Sequence, residues 1–175
     1  MPSHLALIRG INVGGKNILP MADLRAIFTS LGCSDVTTYI QSGNVLFTAP
    51  AKLAASLPTK APKAIEHKFG FAPSVMVRAK DELPTEHPFY TPGIEEKLLF
   101  VAFLNDPAKP IAIDPAKLGQ DRLEVRNREL FIYYTSGPIK TKLTAPYLDK
   151  LLGQPSTFRN WRTVTTLAAQ LNSPA

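Results

Sequence analysis

An α+β protein of two βαββαβ-type halves closed by a C-terminal helix is the fold class the sequence predicts, on three observations. Leu5–Ile8 and Leu98–Leu104 are short unbroken apolar runs, as expected of strands covered on both faces. Leu24, Ile27, Phe28 and Leu31 recur at helical spacing just after the first run. In each half, two further strand-like segments are then joined by a tight polar turn.

The elements follow in order. After the first strand, Pro20 stands near the first turn of a helix, where its missing N–H goes unneeded, and Gly32 supplies the stop. Val36–Ile40 and Val45–Phe47 read as strands. Gln41-Ser-Gly-Asn44 is the turn between them, with Gly43 free to take positive φ. Residues 51–69 carry a helical pattern that Pro58 and Pro62 should interrupt or delay. Ser74–Arg78 is the next strand, and βαββαβ in this order is the ferredoxin-like unit.

Pro84, Pro88, Pro92 and Gly93 mark a connector over 81–96, separating an N-terminal half (1–80) from a second half (97–175). Asp114 can cap a short helix that has Pro115 at its first position. Arg122–Arg126 alternates charged and apolar residues, and Asn127-Arg128 can turn it into Leu130–Tyr134. A helix over Leu143–Leu152 ends at Gly153, so this half reads βαββα, one strand short of the first. Trp161, Val164, Leu167, Ala168 and Leu171 fall on one face of a last helix that Asn160 can cap. Trp161 reads as its core anchor.

Composition bounds the function. No apolar run approaches the roughly 20 residues that span a bilayer, so no membrane partner is expected. The N-terminal segment reads as a first strand rather than a signal peptide. A lone cysteine, Cys33, suits a reducing cytoplasm. The net charge is +6, and residues 122–175 hold eight basic against three acidic side chains. That balance admits a small anion, a nucleic acid or a merely solvated basic face.

The stretch RGINVGGKN (9–17) fits G-x-x-x-x-G-K from Gly10 to Lys16, the core of a phosphate-binding loop. A nucleotide hydrolase is excluded on three counts. Position 17 is Asn where the metal-holding hydroxyl belongs, the helix starts about four residues past the lysine, and βαββαβ is the wrong scaffold. Two readings remain: a looser anion-binding loop using Arg9, Lys16, Asn12, Asn17 and backbone N–H groups, or a plain glycine turn.

LALIRGINVGGKN, MADLR (21–25), TYIQSGNVLF (38–47) and RNWRTV (159–164) together resemble the bacterial family named domain of unknown function 1697. The resemblance runs from the first strand to the last helix and implies an α/β protein with ferredoxin-like halves. It brings no activity and no catalytic residue. This chain has Arg162 where the family pattern has Asn, and Thr141 where it has Ser.

The quoted blocks and the basic tail define a candidate anion site: Arg9, Gly10, Asn12, Gly14, Gly15, Lys16 and Asn17; Ser42, Gly43 and Asn44 at the hairpin tip; Thr141 and Lys142; and Arg159 with Asn160. All are loop or helix-start positions, rich in hydrogen-bond donors, suited to a nucleotide or phosphorylated metabolite. A nucleic-acid module is the weaker alternative, with Tyr133 or Tyr134 as stacking residue beside Lys140 and Lys142. A protein–protein interaction module is the third. His4, His67, His87 and Cys33 are too scattered for metal spacing, and the histidines read as surface or linker residues. No metal or cofactor is expected, and oligomeric state is not legible.

Overall fold

The computed structural model describes residues 3–173, which fall into two compact units. The first comprises the chain up to Leu83 together with the segment from Leu167 onward. It contains β1 (His4–Ile8), α1 (Met21–Ser30), β2 (Ser34–Tyr39), β3 (Asn44–Thr48), α2 (Ala51–Phe69) and β4 (Val75–Ala79). Its sheet has the order β2-β3-β1-β4, with every neighbouring pair antiparallel. The period-2 alternation of strands turns Ala6, Ile8, Val45, Phe47 and Val75 toward Leu24 and Phe28 of α1 and Leu57, Ala61 and Ile65 of α2.

Pro20 stands next to the first turn of α1, as its N-terminal flanking residue. One expectation about the helices changes. α2 runs unbroken for 19 residues with Pro58 and Pro62 inside it. A proline in a helix interior costs about 3 kcal/mol, so the pair should have broken this one. Fully burying a large aliphatic side chain contributes about 1.5–3 kcal/mol. Leu57 and Ile65 are entirely buried, as is Ala61, with Ala54 nearly so, all along one face. Packing against the sheet therefore roughly offsets the prolines.

The second unit, Pro84–Thr166, contains β5 (Leu99–Phe103), α3 (Pro115–Leu118), β6 (Arg122–Arg126), β7 (Glu129–Tyr133), α4 (Ala145–Leu152) and β8 (Thr157–Asn160). α5 (Trp161–Asn172) follows β8 directly. The strand order is β6-β7-β5-β8, again antiparallel throughout, so the positional pattern of the first unit recurs. The sequence reading lacked β8. Its inward residues are Thr157 and Arg159, both buried, so the strand presents no apolar alternation to read.

Several local signals hold. Asp114 Oδ1 accepts from Ala116 N at 2.9 Å, and Asn160 Oδ1 accepts from Arg162 N at 3.0 Å, capping α3 and α5. Trp161 is buried. His87, by contrast, is no surface residue. It sits 5% exposed, edge-on to Phe131 and Trp161, with Nε2 3.1 Å from Phe100 O and Phe89 N donating to Nδ1 at 3.3 Å. These partners fix the neutral tautomer protonated at Nε2. Among the described residues, no helix is long and apolar enough to cross a membrane.

Candidate functional site

In the first unit the expected loop residues gather at one end of the sheet. β1 ends where β3 and β4 begin, since Leu7 pairs with Asn44 and Ile8 with Val75. Ile8 N donates to Gly43 O at 2.8 Å and Arg9 N to Ser74 O at 3.0 Å. The glycine stretch and the hairpin tip are thus neighbours.

The glycine stretch is a miniature β-hairpin. Val13 and Lys16 form an antiparallel bridge, Lys16 N donates to Val13 O at 3.1 Å, and Asn12 N to Asn17 O at 3.1 Å. Gly14 (φ 59°) and Gly15 (φ 71°) are both left-handed, as tight two-residue hairpin turns require. Asn12 latches its base: Oδ1 accepts from Leu19 N at 2.8 Å, while Nδ2 donates to Leu19 O at 2.9 Å and Gln41 O at 3.0 Å. Asn17 Nδ2 donates to Gly10 O at 3.1 Å. Both amide protons of Asn12 are thereby taken, as are the backbone N–H groups of Asn12 and Lys16. The Lys16 side chain is exposed, and so are Val13, Ile18 and, in the left-handed region at φ 51°, Ile40.

The hairpin tip is likewise bound to itself. Asn44 is fully buried, with Nδ2 donating to Tyr39 O at 3.1 Å and Ser42 Oγ at 3.0 Å. Gly43 (φ 78°) lies so near β1 that a Cβ there would stand 2.8 Å from Ile8 Cβ and 2.9 Å from Ile11 Cδ1.

The second unit holds the other expected residues. Asn160 Nδ2 donates to Glu96 O at 3.1 Å and Leu99 O at 3.2 Å, in addition to the capping bond from its oxygen. Arg159 is buried, donating to Thr157 Oγ1 at 2.9 Å and Phe158 O at 2.8 Å, and desolvation pulls its guanidinium down to about 10. Neither residue lines the polar cleft or the apolar cavity of this unit.

Thr141 and Lys142 do. They border a polar cleft of about 250 Å³ together with Lys117, Lys140, Asp121 and Ser136. Asp121 organises its floor: Oδ1 accepts from Thr135 N at 2.9 Å and Thr135 Oγ1 at 3.2 Å, and Oδ2 from Thr141 Oγ1 at 2.7 Å. Three donors hold that carboxylate, while three lysines ring the opening. Lys117 lies 4.9 Å from the centre of the Tyr147 ring, its ammonium over the π face.

A second, mostly apolar cavity of about 310 Å³ adjoins it, lined by Phe100, Tyr134, Ile139, Leu143 and Phe158, with Thr141 common to both. Tyr134 is part of this cavity's wall rather than an exposed stacking platform on the sheet, and burial, then the Asp121 charge, pushes its hydroxyl far up. Lys117, Asp121 and Ser136 escaped the sequence reading. Lys117 and Asp121 lie on one stretch, 116–121, and Ser136 on another, and no motif joins them to Lys140 and Lys142.

Comparison with known proteins agrees with this architecture. The chain is similar over 98% of its length, and over 99% of the other chain, to the solved structure of the conserved bacterial protein SP0830 from Streptococcus pneumoniae. The TM-score is 0.68 at 22% identity, a likeness of fold. Among curated proteins, none matches. Residues 1–131 match the family described as protein of unknown function (DUF1697), and the chain belongs to that family.

Proposed function

We propose that the protein binds a small anionic ligand, a nucleotide or phosphorylated metabolite, with the second-unit cleft as its seat. The observation that carries this reading is the lysine ring. Lys117, Lys140 and Lys142 surround a pocket whose one lining carboxylate already has three hydrogen-bond donors. An anion there gains charge-assisted bonds without displacing a salt bridge. An open cleft of about 250 Å³ suits a compact ligand better than a nucleic-acid strand, which calls for an extended basic track. The strand order shared by both units supports reading each as ferredoxin-like, a scaffold that leaves chemistry to its loops.

Calorimetric titration with inorganic phosphate, pyrophosphate and AMP tests the proposal. A Lys140→Ala/Lys142→Ala double variant should bind at least about tenfold more weakly, since a hydrogen bond to a charged group is worth about 1.5–3 kcal/mol. No binding by the unaltered protein, or equal binding by the double variant, rejects it. Lys16→Ala and Arg9→Ala form a separate arm, in which a loss of affinity would bring the glycine hairpin into the site.

A further inference from the structure

The polar cleft does not stand alone, and its neighbour bears on what kind of anion fits. The apolar cavity shares Thr141 with it, and Thr141 is pinned by Asp121 on one side while accepting from Leu143 N at 3.0 Å on the other. Segment 135–142 therefore borders both spaces: Ser136, Lys140 and Lys142 line the polar one, and Pro138 and Ile139 the apolar one. Ile139 is 97% exposed, a large aliphatic side chain standing at a cavity mouth with almost nothing over it. The Phe100 and Tyr134 rings lie 5.3 Å apart along the cavity wall.

Size sharpens the reading. An apolar cavity of about 150 Å³ accepts a benzene ring, and this one is roughly twice that volume. We infer that the ligand is an amphiphilic anion, with a one- or two-ring apolar body among Phe100, Tyr134, Ile139 and Phe158 and a phosphate or carboxylate on Lys140 and Lys142. The inference rests on the anion-binding proposal and adds the second half of the ligand. Neither space alone orients a small molecule; together they distinguish its two ends. The lysines recognise charge, and the aromatic walls discriminate against a bare ion.

The test compares inorganic phosphate, phenyl phosphate and 1-naphthyl phosphate by calorimetry on the full chain. Affinity should rise along the series, with 1-naphthyl phosphate binding about 10- to 100-fold more tightly than phosphate. Ile139→Ser removes an apolar wall at a solvent-facing position, and Ala145→Phe fills the cavity from the first residue of α4. In each variant the ratio of naphthyl to inorganic phosphate affinity should fall toward one, with thermal melts confirming that the variants fold. Equal affinity for all three probes overturns the inference and leaves the anion-binding proposal standing. A ratio untouched by both folded variants places the ring elsewhere and likewise overturns it. Binding of none of the probes ends the anion-binding proposal and this inference together.

Discussion

Gly43→Ala separates a glycine that the fold requires from those that merely turn the chain. At φ 78°, an alanine takes a left-handed conformation, costing about 1–2 kcal/mol. Its Cβ would also stand 2.8 Å from Ile8 Cβ, 2.9 Å from Ile11 Cδ1 and 3.1 Å from the Ile8 carbonyl oxygen. Ile8 and Ile11 are core residues, so neither yields freely, and overpacking of this kind costs about 1–3 kcal/mol more. The expected total is about 2–5 kcal/mol. Gly14→Ala provides the control, since at φ 59° it bears the backbone term but meets no atom within 4 Å. Urea unfolding followed by far-ultraviolet circular dichroism reads the difference. With a slope of about 1–3 kcal/mol/M, Gly43→Ala should lower the midpoint by about 0.7 M or more, and Gly14→Ala by clearly less. Equal midpoints for the two variants would refute the claim that the hairpin tip is wedged against β1.

Three further outcomes are expected. Burial, reinforced by Arg126 and opposed by the Phe100 carbonyl bond and Glu124, holds the His87 imidazole below its ordinary 6.5, so the unfolded chain takes up the proton first. The stability this confers is complete above 6.5 and lost as the pH falls from there toward the depressed folded value. Urea midpoints at neutral and mildly acidic pH should diverge, and His87→Gln should shrink the gap, with His4 leaving a residue of the same sign. Asn12→Ala removes three hydrogen bonds at a φ of 55° and should destabilise by about 3 kcal/mol in chemical denaturation. Asp121→Asn turns an amide toward Thr141 Oγ1 in place of a carboxylate oxygen. Amide exchange at Thr135 and Leu143 should accelerate, with a loss of about 1–3 kcal/mol.

Where a residue's role is local, the sequence disclosed it. Asp114 and Asn160 are followed at once by the N–H groups they cap, and Asn127-Arg128 makes the expected two-residue turn between Arg126 and Glu129. The first-unit strand succession was legible because its inward residues are apolar. β8 was not, because Thr157 and Arg159 face inward. His87 hid for a similar reason: its neighbours in the chain are prolines and acids, and its burial is supplied by Phe131 and Trp161, far along the sequence. The candidate site divided along the same line. Lys142 was visible within a basic tail, but its association with Lys117 and Asp121 depends on β6, β7 and the 135–142 loop meeting in space. The glycine stretch was legible as a turn, while its hairpin form followed from Asn12 and Asn17 bonding across it.

The prolines of α2 carry a consequence for the order of assembly. Each lacks the amide that would bond four residues back, so the segment is a poor autonomous helix. Its coil-to-helix transition must then await a docking platform from the strands. A synthetic peptide spanning 51–69 would remain largely unordered in water, and any lesion that detaches the sheet would melt those 19 residues in the same step. The longest helix among the described residues is thus a late product of folding rather than its seed.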